Sequence, residues 1–296
     1  MEENMFSNIK ELIEESEKHP SVAEMMIATE MEQTGREREE VINIMERNLI
    51  TMKYSIGEGL KGEKSITGLT GGDGKKMDEY IKSGKGLSGD IVLNSVRNAV
   101  AVNEVNAQMG LICATPTAGS AGTLPGVLFA AVEKLNLTHE QQVDFMFTAG
   151  AFGLAIANNA TIAGAEGGCQ AEVGSASALS SAALVIAAGG TALQASYAVA
   201  LTLQNMLGLI CDPVAGLVEI PCVHRNALGS SQAFISADMA LAGIETAIPA
   251  DEVVTTMYQV GKNLPSMYRE TAEGGLATTP TGRRIMEEVF GVPASV

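Results

Sequence analysis

The sequence predicts an all-α fold, a single large helical domain over residues 1–296 with a buried Ala/Gly-rich core. Apolar residues recur at helical spacing along most of the chain, and no run alternates cleanly with period two. Hydrophobic residues make up 46 % but aromatics only 4 %, with no Trp. The core therefore falls to Ala, Val, Ile, Leu and Met, which suits closely packed helices better than a sandwich or barrel. Charge is also unevenly spread. Residues 1–100 hold 32 of the 54 charged side chains and residues 101–250 only 12, so the middle half is the half to be buried.

Residues 1–56 read as an amphipathic helical part. After His19-Pro20, Ser21-Val-Ala-Glu24 has the pattern of a capping box. Val41, Ile44, Met45, Asn48, Leu49 and Met52 then form one stripe on a helix whose other face carries Glu and Arg. Met at such spacing is core filling. Residues 57–89, rich in Gly, Lys and Asp, read as a long and partly irregular connection, of the kind that covers a site or docks a partner. Residues 90–296 are the helical core. Its helical patterns cover about 90–112, 124–135, 139–158, 176–188, 192–210, 223–243 and 251–263. The pattern from His139 is preceded by Thr138, with Gln141 three residues on, a second capping box.

Several function classes are excluded. A net charge of −16 repels phosphate backbones and anionic headgroups, so no nucleic-acid or membrane-surface role is expected. The uncharged span between Glu172 and Asp212 is broken by Gly189-Gly190 and studded with Ser, Thr, Gln and Asn, which suits central helices of a soluble domain rather than a membrane crossing. The start, Met1-Glu-Glu-Asn-Met-Phe6, carries no targeting pattern, so the default compartment is the cytoplasm. Four Cys without a CxxC pair read as reduced thiols. Gly74-Lys75-Lys76 is not a phosphate-binding Walker loop, since Leu69 stands where its leading Gly belongs. No internal repeat or low-complexity tract is present.

Three Gly-rich turns interrupt the charge-poor half. In Ala114-Thr-Pro-Thr-Ala-Gly-Ser-Ala-Gly122, ahead of a helix starting near Leu124-Pro125, amides and the hydroxyls of Thr115, Thr117, Ser120 and Thr123 have the makings of an anion cradle. A tight interhelical turn fits the same residues. The second turn holds Cys169, and the third runs from Cys211 to Cys222. This is not zinc-finger spacing. Two readings fit it: small buried hydrophobes, or three thiolates holding three irons of a 4Fe-4S cluster and leaving the fourth open as a Lewis acid.

The words around those residues are more specific. Ile112-Cys-Ala-Thr-Pro-Thr-Ala-Gly-Ser-Ala-Gly122, Ala165-Glu-Gly-Gly-Cys-Gln-Ala-Glu-Val-Gly-Ser-Ala-Ser177 and Gly208-Leu-Ile-Cys-Asp-Pro-Val-Ala-Gly-Leu-Val-Glu-Ile-Pro-Cys-Val-His-Arg-Asn-Ala227 closely resemble the α chain of iron–sulfur L-serine dehydratase. Gly68-Leu-Thr-Gly-Gly-Asp73, Ser88-Gly-Asp90, Asn103-Glu-Val-Asn-Ala107 and Gly274-Gly-Leu-Ala-Thr-Thr-Pro-Thr-Gly-Arg283 extend the resemblance along nearly the whole chain. It implies an all-helical catalytic domain converting L-serine to pyruvate and ammonium, with a 4Fe-4S cluster on Cys169, Cys211 and Cys222. It also implies substrate binding by the turn of Thr115, Thr117, Ala118, Gly119, Ser120, Ala121 and Gly122.

In that reading the substrate hydroxyl meets the open iron and its carboxylate the 115–122 turn. A base then removes the α-proton. The resemblance assigns the base to a His in a Ser-Ser-Ser-His-Thr-type motif of a β region, which this chain lacks. Its own His19 and His139 read as surface residues, and His224, two residues past Cys222, is the weaker candidate for a base. The chain thus reads as one half of a hetero-oligomer whose β chain carries the missing base. Single-chain relatives bring a carboxyl-terminal Cys toward the cluster. This chain ends Gly291-Val-Pro-Ala-Ser-Val296, leaving Cys113, otherwise a packed thiol, as the remaining candidate for the fourth iron. Glu166, Glu172, Arg225 and Asn226 are the polar neighbours of the cysteines, suited to hydrogen bonding or helix capping.

Other functions fit parts of the pattern. Pyridoxal phosphate is not expected, because Lys134 is the only lysine of residues 101–250 and lies in a charged Glu-Lys pair. A lyase acting on cysteine or threonine, or a non-catalytic cluster carrier, would share the same cysteines.

Overall fold

A computed structural model describes residues 5–291. The reading of Met1–Asn4 and of the last five residues, Val292–Val296, falls outside them. Thirteen α-helices form and, among the described residues, no strand. They are α1 Ile9–Ser16, α2 Val22–Thr34, α3 Arg38–Gly59, α4 Asp73–Lys82, α5 Asp90–Ala107, α6 Thr123–Leu135, α7 His139–Asn159, α8 Gly164–Gly167, α9 Ser175–Ala187, α10 Ala192–Gln204, α11 Cys222–Leu241, α12 Ala250–Asn263 and α13 Pro280–Phe290. None of the described helices is long and apolar enough to cross a membrane.

The centre of the fold is α9. Its residues Ser175–Val185 are all buried, with α6, α7, α10 and α11 packed around it. Ala and Ser supply most of that helix, so neighbouring backbones approach closely. Hydroxyls turn inward onto backbone, as when Ser177 donates to Gly229 O at 2.6 Å and Ser180 to Ala176 O at 2.6 Å, while Ser175 Oγ alone in this helix has no partner. Around this centre, α5 packs against α3, α4, α6 and α11. The α3 stripe faces inward as its spacing requires, with Val41, Leu49 and Met52 buried.

N-cap side chains set five of the described helix starts, those of α1, α2, α7, α10 and α13. The Thr138/Gln141 capping box forms in full, and Thr191/Gln194 makes another at α10. At α2 only half the expected box forms. Ser21 accepts from Glu24 N at 3.1 Å, but the Glu24 carboxylate is taken in two bonds of 2.7 and 2.6 Å by Arg38, since a charged fork outcompetes a backbone amide. Two helical patterns end early: α5 stops at Ala107, and α10 stops at Gln204, before the turn that leads to Cys211.

The 57–89 stretch is less irregular than its composition suggests, because it contains α4. A buried carboxylate from another helix anchors that helix. Glu104 of α5, fully buried, accepts from the amides of Asp73 at 2.7 Å and Gly74 at 3.2 Å, capping the α4 amino terminus. Glu219 similarly holds the preceding loop, accepting from Thr67 and Thr70 hydroxyls at 2.7 Å each. The connection is thus fastened to the core at both α5 and the Cys222 turn.

Burial raises the Glu104 carboxyl above its ordinary value, against the opposing pull of the Asp73 and Gly74 amides. A carboxyl raised in the folded state makes the native chain bind more protons than the unfolded one. Its contribution to stability is therefore full below about pH 4.3 and is lost as pH rises through the raised native value. Glu104→Gln is expected to remove this slope in urea unfolding measured from pH 4 to 8. It should also cost about 1–3 kcal/mol, because its NH2 group cannot accept from one of the two amides.

Candidate active site

Three cysteines far apart in sequence meet beside the loop before α6. Cys169 stands between α8 and a π-helical turn, Gln170–Gly174, that leads into α9. Such turns recur at functional sites because they widen the helix and re-aim side chains. Cys211 lies in extended backbone, where its amide donates to Tyr268 O and its carbonyl accepts from Glu270 N, both at 2.8 Å. Cys222 begins α11. All three are free thiols, 2 %, 2 % and 6 % exposed.

Buried side chains join the turns. Gln170 donates to Gly167 O and Met257 O and accepts from Gly208 N, each at 2.9 Å, while its own amide reaches Leu209 O at 3.0 Å. The segments carrying Cys169 and Cys211 are thereby laced together. Arg225, one turn along α11 from Cys222, donates to Ile210 O at 2.8 Å and Asp212 Oδ1 at 2.7 Å, on either side of Cys211. Asp212 Oδ2 in turn accepts from Leu276 N at 2.7 Å.

Gly164 marks the middle of the site. A methyl group there would stand 3.1 Å from Glu172 Oε2, 3.3 Å from Cys211 Sγ and 3.5 Å from Glu270 Oε2. Only a residue without a side chain leaves these groups their room. Glu172 reaches across to the loop, where the Thr117 hydroxyl donates to it. A methyl at Gly119 would lie 2.6 Å from its Oε1, so the loop lies directly against this carboxyl.

Desolvation governs the titration of these groups. It pushes the Cys169 thiol up to about 12, with Arg225 pulling it partly back. Cys211 and Cys222 rise further, first from burial and then from the charges of neighbouring thiolates and of Glu172 and Glu270. Burial also raises Glu172; the Thr117 hydrogen bond opposes this and the charge of Glu270 adds to it. These mutual influences show how tightly the three thiols and two carboxyls are gathered.

The 115–122 loop keeps part of its expected cradle. The Gly122 amide and the Thr123 hydroxyl are taken by Asn226 Oδ1 at 3.1 and 3.0 Å, and Ser120 Oγ donates to Thr115 O at 3.1 Å. The amides of Ala118, Gly119 and Ser120 enter none of the hydrogen bonds formed among the described residues. The buried Thr115 Oγ1 has no partner either. Ala121 is fully buried, its amide bonded to Ala118 O at 3.3 Å, and supports the turn.

Other candidates lie elsewhere. Cys113, half-buried, lines an apolar cavity of about 330 Å³ between α3, α6, α7 and α9, together with Thr115 and Pro116. His19, His139 and His224 pair with Glu15, Glu46 and Asp73 at 3.5, 3.2 and 3.2 Å. His224 is 60 % exposed and turned toward α4, away from the cysteines despite its nearness in sequence. Glu166 is exposed. The sequence reading missed Glu270, whose φ of +65° is uncommon for a residue with a side chain. Its signal lay in three dimensions alone, in the hydrogen bond its amide donates to Cys211 O. No three His, Cys, Asp or Glu side chains among the described residues are grouped so as to share a single metal ion.

Comparison with known proteins identifies the family of the chain. The family described as serine dehydratase alpha chain matches residues 17–277. A Bacillus subtilis protein named probable L-serine dehydratase, alpha chain, is 59 % identical over 97 % of this chain and 96 % of its own length. The L-serine dehydratase alpha chain of Peptoniphilus asaccharolyticus is 41 % identical over 96 % of this chain and 98 % of its own. A longer Helicobacter pylori protein named L-serine dehydratase is 35 % identical over 93 % of this chain, which spans 62 % of it. On these matches, covering every turn of the site, the chain belongs to the serine dehydratase alpha chain family.

Proposed function

We propose that this chain is the catalytic α chain of an L-serine ammonia-lyase, yielding pyruvate and ammonium, and that Cys169, Cys211 and Cys222 hold a 4Fe-4S cluster. The observation that carries the proposal is the gathering of three buried free thiols, Cys169 packed with Cys211 and Cys222 close by, against a loop with three unengaged amides. The donor set suits a polynuclear cluster. A single ion with Zn–S-type bonds of about 2.3 Å draws its ligands into one small shell, whereas a cluster takes each thiolate on a different iron and needs no such shell. When bound, such a cluster supplies an open iron as a Lewis acid for the departing hydroxyl.

The chain's own residues do the rest of the binding. The amides of Ala118, Gly119 and Ser120, with the unpartnered Thr115 hydroxyl, receive the substrate carboxylate. Thr117 fixes the Glu172 carboxyl between this loop and the cysteines. Burial of the thiols and of Gly164 keeps bulk water from the leaving group. Loss of the α-proton and the hydroxyl gives an aminoacrylate. Its tautomerisation to an imine and hydrolysis to pyruvate and ammonium need no further protein group.

No His of this chain faces the site, so the proton acceptor comes from a β chain, and the working enzyme is a hetero-oligomer. The names of the relatives as alpha chains support that partner. Reduced thiols and the absence of a spanning helix among the described residues suit a cytoplasmic enzyme.

Anaerobic reconstitution is expected to load about four irons and four sulfides per wild-type chain and markedly fewer in Cys169→Ser. Iron near zero in both would overturn the cluster. In the complex with its β chain, Thr117→Val should lower kcat/KM for serine about 10–100-fold, the equivalent of losing one hydrogen bond to a charged group. Its iron content should remain unchanged, and steady-state kinetics beside an iron assay checks both. Full turnover in this variant would remove the loop from the substrate site.

A further inference from the structure

The cysteines come from three separate segments, yet one side chain engages all of them. Arg225 shares a helix face with Cys222, being three residues along α11. It grips the backbone on one side of Cys211 and the Asp212 carboxylate on the other. Its charge also acts on Cys169 and Cys222. The side chain is only 14 % exposed, and it is the sole cation among residues 135–250. Of its five N–H donors, two make the bonds to Ile210 and Asp212. The guanidinium also lies within hydrogen-bonding reach of the Cys169 thiol.

Resting on the cluster reading above, we infer that Arg225 is the positioning residue of the iron–sulfur site. Two of its donors clamp the Cys211 turn to α11. The remaining edge of its guanidinium supplies positive charge and hydrogen bonds to the sulfur atoms of the cluster. A clamp alone would be satisfied by any side chain of matching shape. The second role is electrostatic. Net charge and hydrogen bonds to sulfur set the potential of such clusters, and a cation beside one favours its reduced, more negative form. Arg suits both tasks because its planar fork holds two acceptors while still presenting donors, which a lysine ammonium cannot match.

The test compares wild type, Arg225→Gln and Arg225→Lys, each reconstituted anaerobically in the full chain. Cluster content, lifetime in air and midpoint potential by reductive titration are measured together. Arg225→Gln is expected to lose its cluster faster and to titrate at a more negative potential. The shift should be at least tenfold in the ratio of oxidised to reduced cluster at a fixed applied potential, or about 59 mV for a one-electron couple. Arg225→Lys should keep a potential close to wild type, because the charge remains, yet lose its cluster faster, because the fork is gone. An unchanged potential in Arg225→Gln would overturn the electrostatic role, since a purely structural residue moves lifetime alone. Should Arg225→Gln load no cluster, Arg225→Lys decides: equal lifetime and potential to wild type support charge alone and overturn the clamp. Absence of iron from wild type itself would overturn the cluster reading and this inference with it. Loading of wild type with an unmoved variant potential overturns only the inference.

Discussion

One buried carboxamide fixes the distance between the two halves of the site. Asn226, with no exposure, donates to Gly119 O at 2.7 Å and to Cys222 O at 2.9 Å, and accepts from Gly122 N at 3.1 Å and the Thr123 hydroxyl at 3.0 Å. Both its donors and its acceptor are used. In so dry a place each bond is stronger than in water, and loss of any one leaves a stranded polar group. The 115–122 loop and the helix starting at Cys222 therefore move as one body. The neighbouring residue, Arg225, points to the cysteine turns, so consecutive side chains of α11 serve opposite walls of the same site.

This arrangement explains where the few charges of the middle half are spent. Irregular backbone inside a protein needs partners for its N–H and C=O groups, because water cannot reach them. Glu104 caps the buried start of α4, Glu219 holds the loop before it, and Asp212 meets both Arg225 and the Leu276 amide. Each is buried and each faces amides, hydroxyls or a guanidinium. A chain that removes charge from its core thus retains it where a turn has to be held still.

Periodicity and capping made much of the helical pattern legible. Thr138 and Gln141 carry their information within four residues, and the structure uses it. Helix α13 also had readable punctuation, Thr279-Pro280 at its start and Gly291 at its end, but its exposed and charged face weakens an apolar pattern. The half-formed box at Ser21 depended on Arg38, fourteen residues beyond Glu24, and could not be read locally. The same division runs through the site. Cys169, Cys211, Cys222 and the 115–122 loop stand out by the words around them. Glu270 and the grip of Gln170 on Met257 do not, because contacts between residues 59 and 87 positions apart leave no local pattern.

The electrostatics of the thiol nest also bear on how it would take up the proposed cluster. Arg225 lies near the Cys169 and Cys222 thiols and Asp212, while Glu172 and Glu270 add to the negative side. Without further positive charge, the cheapest state for the thiols and for Glu172 is the protonated one, which is why burial raises them all. In the proposed reading an iron–sulfur core would bring the missing positive charge, and the thiols would bind it only by giving up their protons. Preorganisation by Arg225, Gln170 and Asn226 then has a thermodynamic purpose. It places the sulfurs before the metal arrives, so that binding free energy is spent on displacing protons rather than on ordering three loops.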